Sequence, residues 1–393
     1  MQMKKLLFMM INMNIGGTEK ALLSMLSQID STEYEVTILM LEEYGGFLDF
    51  IPSWIHIKYV NEFPKFKHIL RMPLHLMAID HFKNKKYLEG LKYLYFYTVT
   101  KLHRNPIVFF NHILKSFETI KDEYDVAVAY AGPMDFISYF VLNKIQAKKK
   151  IQWIHFDITK IGFNISFVKK IYPMFDRIFV VSKEGKEKLC QVVPSIADKI
   201  EVFHNIISKE QILLQSRLHA GFLDGYDGLK ILTVGRLDYI KGQDLCVKTL
   251  RLLKEEGYNV KWYCVGDGSF RSELQQLIKK YGLEEEFILL GSTTNPYPYM
   301  AQCDLYVQSS RHEGYCITLA EAKIFNKSII STDFTGAKEQ LITYHSAKIV
   351  EAKVCDLYQA IKQIIDTKNL ESNHFSCEEQ EENQLGLLYE LTT

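Results

Sequence analysis

Leu305-Tyr306-Val307-Gln308 is followed by Ser309-Ser310-Arg311-His312-Glu313-Gly314-Tyr315 and then by Cys316-Ile317-Thr318-Leu319-Ala320-Glu321-Ala322. A short apolar run, a polar loop with one glycine and a stretch of helix formers read as one strand–loop–helix unit. Glu313 precedes the helix and Glu321 lies within it. At about 1.5 Å of rise per residue, Glu321 sits about two turns below the helix tip. The tip and Glu321 can then face different parts of one ligand, and the free N–H groups between them favour an anion.

The same unit recurs on both sides of this stretch. Downstream of residue 205, strands are expected at Leu229–Val234, Val260–Val265, Phe287–Leu290, Leu305–Gln308 and Ser328–Ser331, with helices at about 241–256, 269–281 and 315–325. Upstream, the runs Leu6–Ile11, Val36–Leu41, Val126–Tyr130, Ile151–His155 and Ile178–Val181 keep the rhythm. Short apolar runs separated by helix-length sequence indicate parallel sheets covered on both faces. The class is α/β, with two Rossmann-like doubly wound domains, 1–205 and 206–377, meeting near residue 205. Residues 206–228, polar and glycine-containing, read as a linker and entry loop. The final stretch, Glu378–Leu391, is acidic and then apolar. It reads as a terminal helix (378–393) that packs back on the first domain.

The composition sets limits. The chain has 393 residues, with 47 Lys+Arg against 47 Asp+Glu and 47% hydrophobic residues. That length suits two or three domains. Zero net charge argues against a duplex nucleic-acid binder and against a chain disordered by charge. No window approaches 18 apolar residues, so no transmembrane helix is expected. The apolar run near the start is only about six residues long and lacks a small-residue cleavage site, so it reads as a first buried strand. Seven cysteines without a Cys-x-x-Cys pair make structural zinc or a disulfide framework unattractive, and reduced thiols point to the cytoplasm.

Open α/β sheets bind ligands beyond the carboxyl ends of their strands. After the first strand, Gly16-Gly17-Thr18-Glu19 offers a tight turn and a helix start, with Thr18 as the candidate N-cap. After the run at 151, His155 lies beside Asp157, and a histidine there can exchange a proton or stabilise charge. After Val234, Gly235-Arg236 and Lys241-Gly242 place two cations five residues apart on one loop, suited to a diphosphate. After Val265, Gly266-Asp267-Gly268 permits another close backbone approach. Each motif alone also has an ordinary structural reading: a βα turn, a buried histidine or solvated charges.

Taken in order, Gly16-Gly17-Thr18-Glu19, His155, Gly235-Arg236, Lys241-Gly242, Gly266-Asp267-Gly268 and Glu313-x7-Glu321 resemble family 4 retaining glycosyltransferases of the GT-B fold. The run Arg311–Tyr315 with Leu319-x-Glu321-Ala322 resembles the bacterial capsule, exopolysaccharide and lipopolysaccharide members. The resemblance implies a nucleotide diphosphate sugar, UDP first and GDP second, as donor substrate, with no cofactor and no metal. It implies that Arg236 and Lys241 neutralise the diphosphate, that Glu321 holds the ribose hydroxyls and that Glu313 contacts the transferred sugar. Tyr315, Cys316 and Ile317, with Gly314, would cap the phosphates by their backbone. Gly16 and Gly17 would close from the other domain, Gly235 and Gly266 would border the donor, and His155 would line the acceptor side with Asp157 as its partner. Cys316 and Thr335-Gly336-Ala337 depart from the family pattern.

Residues 58–121 interrupt the first domain. They read as mostly helical and carry twelve Lys and Arg against four Asp and Glu, with Tyr and Phe interleaved. Such stretches can lie on anionic membranes. Because acceptors in this family are often lipid-linked glycans, peripheral attachment to the inner face of the membrane is the working hypothesis. Two other classes stay open: an inactive transferase-like partner, distinguished by failure to bind nucleotide sugars, and another GT-B enzyme such as an epimerase or phosphorylase, distinguished by donor turnover without acceptor.

Overall fold

The structure, a computed structural model, describes residues 3–160, 162–367 and 384–392. Thirteen strands are assigned among them: β1 (Lys4–Met10), β2 (Tyr34–Met40), β3 (His56–Tyr59), β4 (Ile120–Ala129), β5 (Ile145–Ile154), β6 (Arg177–Val180), β7 (Ile200–Val202), β8 (Leu229–Val234), β9 (Val260–Val265), β10 (Phe287–Gly291), β11 (Leu305–Gln308), β12 (Ser328–Thr332) and β13 (Ala347–Val350). They form two separate sheets, ordered β3-β2-β1-β4-β5-β6-β7 and β10-β9-β8-β11-β12-β13. Every strand pairing within them is parallel.

Alternation along each strand explains why both faces are covered. On β1, Leu7 and Met9 enter one apolar cluster while Leu6, Phe8 and Met10 enter the other. In the second sheet, Trp262 and Cys264 face one cluster and Tyr263 and Val265 face the opposite one. A strand buried on both sides has no polar face, which is why these segments read as continuous apolar runs.

The order of each sheet reverses direction at one place, between β1 and β4 in the first and between β8 and β11 in the second. The loops leaving two such neighbours diverge and open a crevice at the strands' carboxyl ends. Both glycine-bearing motif loops, 11–16 after β1 and 235–242 after β8, begin at these crevices, and so does the run from Ser309 after β11.

Two expectations need correction, in 206–228 and at Thr18. The interrupting stretch is mostly helical, as expected: after β3, which includes Lys58, its helices are Phe63–Arg71, Leu74–Lys83, Tyr87–His103 and Ile107–Leu114. They bury Phe63, Met77, Tyr93, Phe96, Phe109 and Phe110 against one face of the first sheet. The segment 206–228 contains a helix, Lys209–Gln215, whose Ile212 is buried in the second domain. Thr18 is not an N-cap: the helix runs Gly17–Leu26 and Gly16 occupies the cap position.

The polypeptide also returns to the first sheet. Helix Gln384–Tyr389 buries Leu388 in the first domain's core, Tyr389 stacks on Tyr34 with ring centroids 4.5 Å apart, and Lys4 donates to the Thr392 carbonyl at 2.6 Å. The acidic part of the final stretch, 378–383, lies outside the described residues.

Candidate active site

Lys241 ends the short 3-10 turn Tyr239–Lys241 after β8, and Gly242 follows in the left-handed region with φ of 71°. A side chain at Gly242 would collide with the Ser309 carbonyl, its Cβ coming within 2.1 Å. The loops after β8 and β11 therefore touch backbone to backbone, and glycine is required there. This contact carries Lys241 to Glu313: their charged groups are 2.5 Å apart, and Ser310 Oγ donates to the same carboxylate oxygen at 2.8 Å. Burial alone would lower the Lys241 pKa, but the Glu313 carboxylate outweighs it and raises the value. Lys241 is thus a permanent cation at the crevice.

Arg236 acts electrostatically on Lys241, so the two cations share one neighbourhood. Its guanidinium is exposed and 4.0 Å from Asp238. Asp244, with Arg311 at 2.7 Å, braces the loop from behind. Gly235 continues β8, its N–H donating to the Val265 carbonyl at 2.9 Å. Gly266 and Gly268 have a reason the sequence did not suggest. A Cβ at Gly266 would come within 2.0 Å of the Gly235 carbonyl oxygen, and one at Gly268 within 2.2 Å of that of Leu237. Their close approach is to the cation-bearing loop itself, which they hold in place.

Glu321 is buried on helix Ile317–Lys323 and accepts a 2.7 Å hydrogen bond from the Tyr297 hydroxyl. Burial raises its pKa, opposed by Lys20 and by the Tyr297 bond. Cys316 occupies the cap position of this helix with its sulfur 3.2 Å from Thr318 Oγ1. Burial, reinforced by the Glu313 charge, pushes its thiol up to about 12, so it is neutral. The N–H groups of the first turn lack intrahelical acceptors by construction.

The first domain meets this surface directly. Gly17 lies beneath Ile317, where an added Cβ would be 3.8 Å from its side chain. Gly314 backs onto the His155 carbonyl so closely that a Cβ would come within 2.1 Å. The Gly314 carbonyl accepts from Ser182 Oγ at 3.3 Å, and the Tyr315 ring lies 6.0 Å from that of His204. Gly314 and Tyr315 are therefore points of contact between domains.

His155 is buried after β5, against the rings of Tyr130 and Trp153. Desolvation pushes its pKa down to about 3, offset only slightly by a bond to the Tyr130 backbone. The ring is neutral, and Nε2 has no hydrogen-bond partner among the described residues. Asp157 is not its partner. Its carboxylate accepts from Thr335 Oγ1 at 2.5 Å, from Lys188 at 2.8 Å and from the Thr159 hydroxyl at 2.7 Å. Desolvation opposes ionisation, but these bonds outweigh it and hold the group at about 2. With Gly336 N–H donating to Glu184 and Lys183 N–H to Glu339, Asp157 belongs to a second contact between the domains. The departure at Thr335-Gly336-Ala337 is thus a clasp on helix Lys183–Val192.

Lys20 was missed, and Glu19 was read only as part of the glycine motif, with no role of its own. Lys20, on the helix after Gly16-Gly17, reaches across to the Tyr297 ring, 5.2 Å from its centroid. Glu19 faces Arg236 and Tyr130, and burial pushes its carboxyl up to about 7 against the pull of its own backbone N–H and of Arg236. Adjacency to the glycine pair was the one sequence signal for either.

Among the described residues, no helix is long and apolar enough to cross a membrane. Comparison with known proteins agrees with the two-crevice architecture. The chain is 31% identical over 209 residues to the N-acetylgalactosamine-N,N'-diacetylbacillosaminyl-diphospho-undecaprenol 4-alpha-N-acetylgalactosaminyltransferase of Campylobacter jejuni, covering 53% of this chain and 55% of that protein. The chain spans about half the length of the curated relatives it matches. Among solved structures, it superposes on Staphylococcus aureus TarM with a TM-score of 0.67 at 13% identity, covering 100% of this chain and 99% of that one. It superposes on Anabaena HepE, solved with UDP-glucose, with a TM-score of 0.64 at 17% identity, covering 94% and 92%. The fold is GT-B, and residues 224–379 match the family described as Glycosyl transferases group 1.

Proposed function

We propose that the protein is a retaining glycosyltransferase that moves a hexose or N-acetylhexosamine from a nucleotide diphosphate sugar, UDP-linked in the first instance, to a lipid-linked glycan acceptor in bacterial surface polysaccharide synthesis. The observation that carries the reading is the convergence of Arg236, the Lys241–Glu313 pair and buried Glu321 at the β8/β11 crevice. Glycosyl transfer builds positive charge on the sugar and negative charge on the departing diphosphate. Lys241 and Arg236 stabilise the leaving group, together with the N–H groups of the helix that begins at Ile317. No metal is needed for that role, because the cations are supplied by side chains. Glu321 accepts from the ribose hydroxyls, a task suited to an ionised carboxylate. Glu313, bridging Lys241 and Ser310, faces the transferred sugar. Neutral His155 offers Nε2 as a hydrogen-bond acceptor to a sugar hydroxyl, and is not a general base titrating near neutrality.

The relatives support a polysaccharide setting: one is named as acting on a diphospho-undecaprenol-linked glycan and another as an amylovoran biosynthesis glycosyltransferase. The helix Tyr87–His103 supports contact with an anionic bilayer. Leu88, Leu91, Tyr95 and Leu102 are exposed along one face, and Lys83, Lys85, Lys86, Lys101 and Arg104 are exposed around it. Calorimetry with UDP and GDP, followed by turnover assays with UDP-hexoses and an undecaprenyl-linked acceptor, tests the reading. Saturable nucleotide binding and acceptor-dependent release of UDP are expected. Absence of binding to either nucleotide overturns it.

A further inference from the structure

Helix Gly17–Leu26 of the first domain sends the stem of Lys20 across the crevice. Its ammonium lies 5.2 Å from the centroid of the Tyr297 ring and 5.7 Å from that of Phe47. Tyr297 is fully buried and its hydroxyl donates to Glu321 at 2.7 Å. One cation from the first domain thus faces the flank of a tyrosine–carboxylate pair that belongs wholly to the second. We infer that Lys20 is a positioning residue for the donor: it reaches over from the acceptor-side domain and fixes the Tyr297–Glu321 pair in the form that receives the ribose hydroxyls.

The chemistry follows from what surrounds Glu321. The groups facing it are Lys20 from the first domain, the phenol of Tyr297 and the phenol of Tyr306 on β11. Of these only Lys20 is a cation. A buried carboxylate with two phenols and no cation is driven toward its neutral form, because desolvation penalises charge. A neutral carboxyl presents one donor, and no longer accepts at both oxygens as two ribose hydroxyls require. The Lys20 ammonium opposes that drift, and Glu321 in turn opposes the lowering of the Lys20 pKa by burial. The helix start that carries Gly16 and Gly17 therefore also completes the nucleotide subsite, and does so only when the two domains are together.

The inference rests on the donor reading above and can be separated from it. In the full-length protein, UDP and 2′,3′-dideoxyuridine diphosphate are titrated calorimetrically into wild type and Lys20→Met. Loss of one charge-assisted partner should weaken UDP about tenfold, while the dideoxy compound, lacking both hydroxyls, should change by less than about twofold. Without Lys20 the Glu321 carboxyl protonates at higher pH, so the acid limit of UDP binding should move upward in Lys20→Met. Lys20→Arg should restore most of the affinity, and Lys20→Met should add nothing in a Glu321→Gln background. Should Met at this position fail to fold, Lys20→Gln carries the same expectations. Equal losses for the two nucleotides, unchanged UDP affinity, or additive losses in the double variant overturn the inference while leaving the donor reading intact. Failure of wild type to bind UDP removes both.

Discussion

The two crevices treat ionisable groups in opposite ways. At β8/β11, opposite charge outweighs burial at Lys241, whose pKa Glu313 raises, and Lys20 opposes burial at Glu321 without reversing it. At β1/β4 and the neighbouring end of β5, burial wins. His155 is pushed down to about 3, while Glu19 and Asp135 are pushed up to about 7. One side is centred on a fixed cation, Lys241, while His155, Glu19 and Asp135 on the other are held neutral or close to it. Fixed charge suits an anionic diphosphate, since a preorganised cation need not reorganise as charge develops. Neutral groups suit hydroxyl-bearing glycans, which are read by hydrogen bonds.

The largest expected effect comes from removing the central fixed charge. Lys241→Ala should lower turnover on the order of 10²–10³-fold. Steady-state rates with a UDP-sugar measure this effect, and a variant within about threefold of wild type would break the assignment of the charged crevice. A smaller effect is expected on the neutral side. His155→Ala should reduce kcat roughly tenfold with little change in donor KM, since it removes one hydrogen bond to the sugar and no charge. Because the imidazole is neutral throughout, wild-type activity between pH 5 and 8 should show no inflection that disappears in His155→Ala. Such an inflection would place a titrating histidine where the structure has a neutral one.

Much of this contrast could be read before the fold was known, and the part that could not shares a cause. The central strands were legible because both their faces are buried, so that Leu6–Met10 carries no polar residue to interrupt the run and Leu229–Val234 keeps four apolar residues out of six. Three edge strands were not. His-Ile-Lys-Tyr, Ile-Glu-Val and Ala-Lys-Ile-Val each have one neighbour and a partly exposed face, so no apolar run marks them. The charged loop residues were legible because strand ends collect ligand groups. What each contacts was not. Gly314 against His155, Asp157 against Thr335 and Lys20 over Tyr297 join residues more than 150 positions apart. Such pairs follow from how the domains face each other, which local pattern does not encode. The same limit misassigned Asp157, whose adjacency to His155 in sequence suggested a partnership that the clasp replaces.

The smallest expected effect sharpens the neutral side most directly. Glu19 and Asp135 have folded-state values of about 7 against ordinary values of 4.5 and 3.8. The native state therefore holds protons that the unfolded chain releases. The associated stability is fully present below the unfolded values and is lost as pH rises through about 7. His155 has the opposite sign: its neutral form is favoured, so its contribution is present above about 6.5 and is lost as pH falls through about 3. Glu19→Gln keeps the size of the side chain but cannot ionise, so it should remove one of the two losses on the alkaline side. Relative to wild type, its melting temperature should rise between pH 5 and pH 8. For a half-buried carboxyl screened by solvent, the gain should be about 1 kcal/mol, or about 2–4 °C. The same variant at pH 5, where wild-type Glu19 is already protonated, should melt within about 1 °C of wild type. A constant offset at both pH values would mean that Glu19 is charged throughout. The first crevice would then be no more neutral than the second.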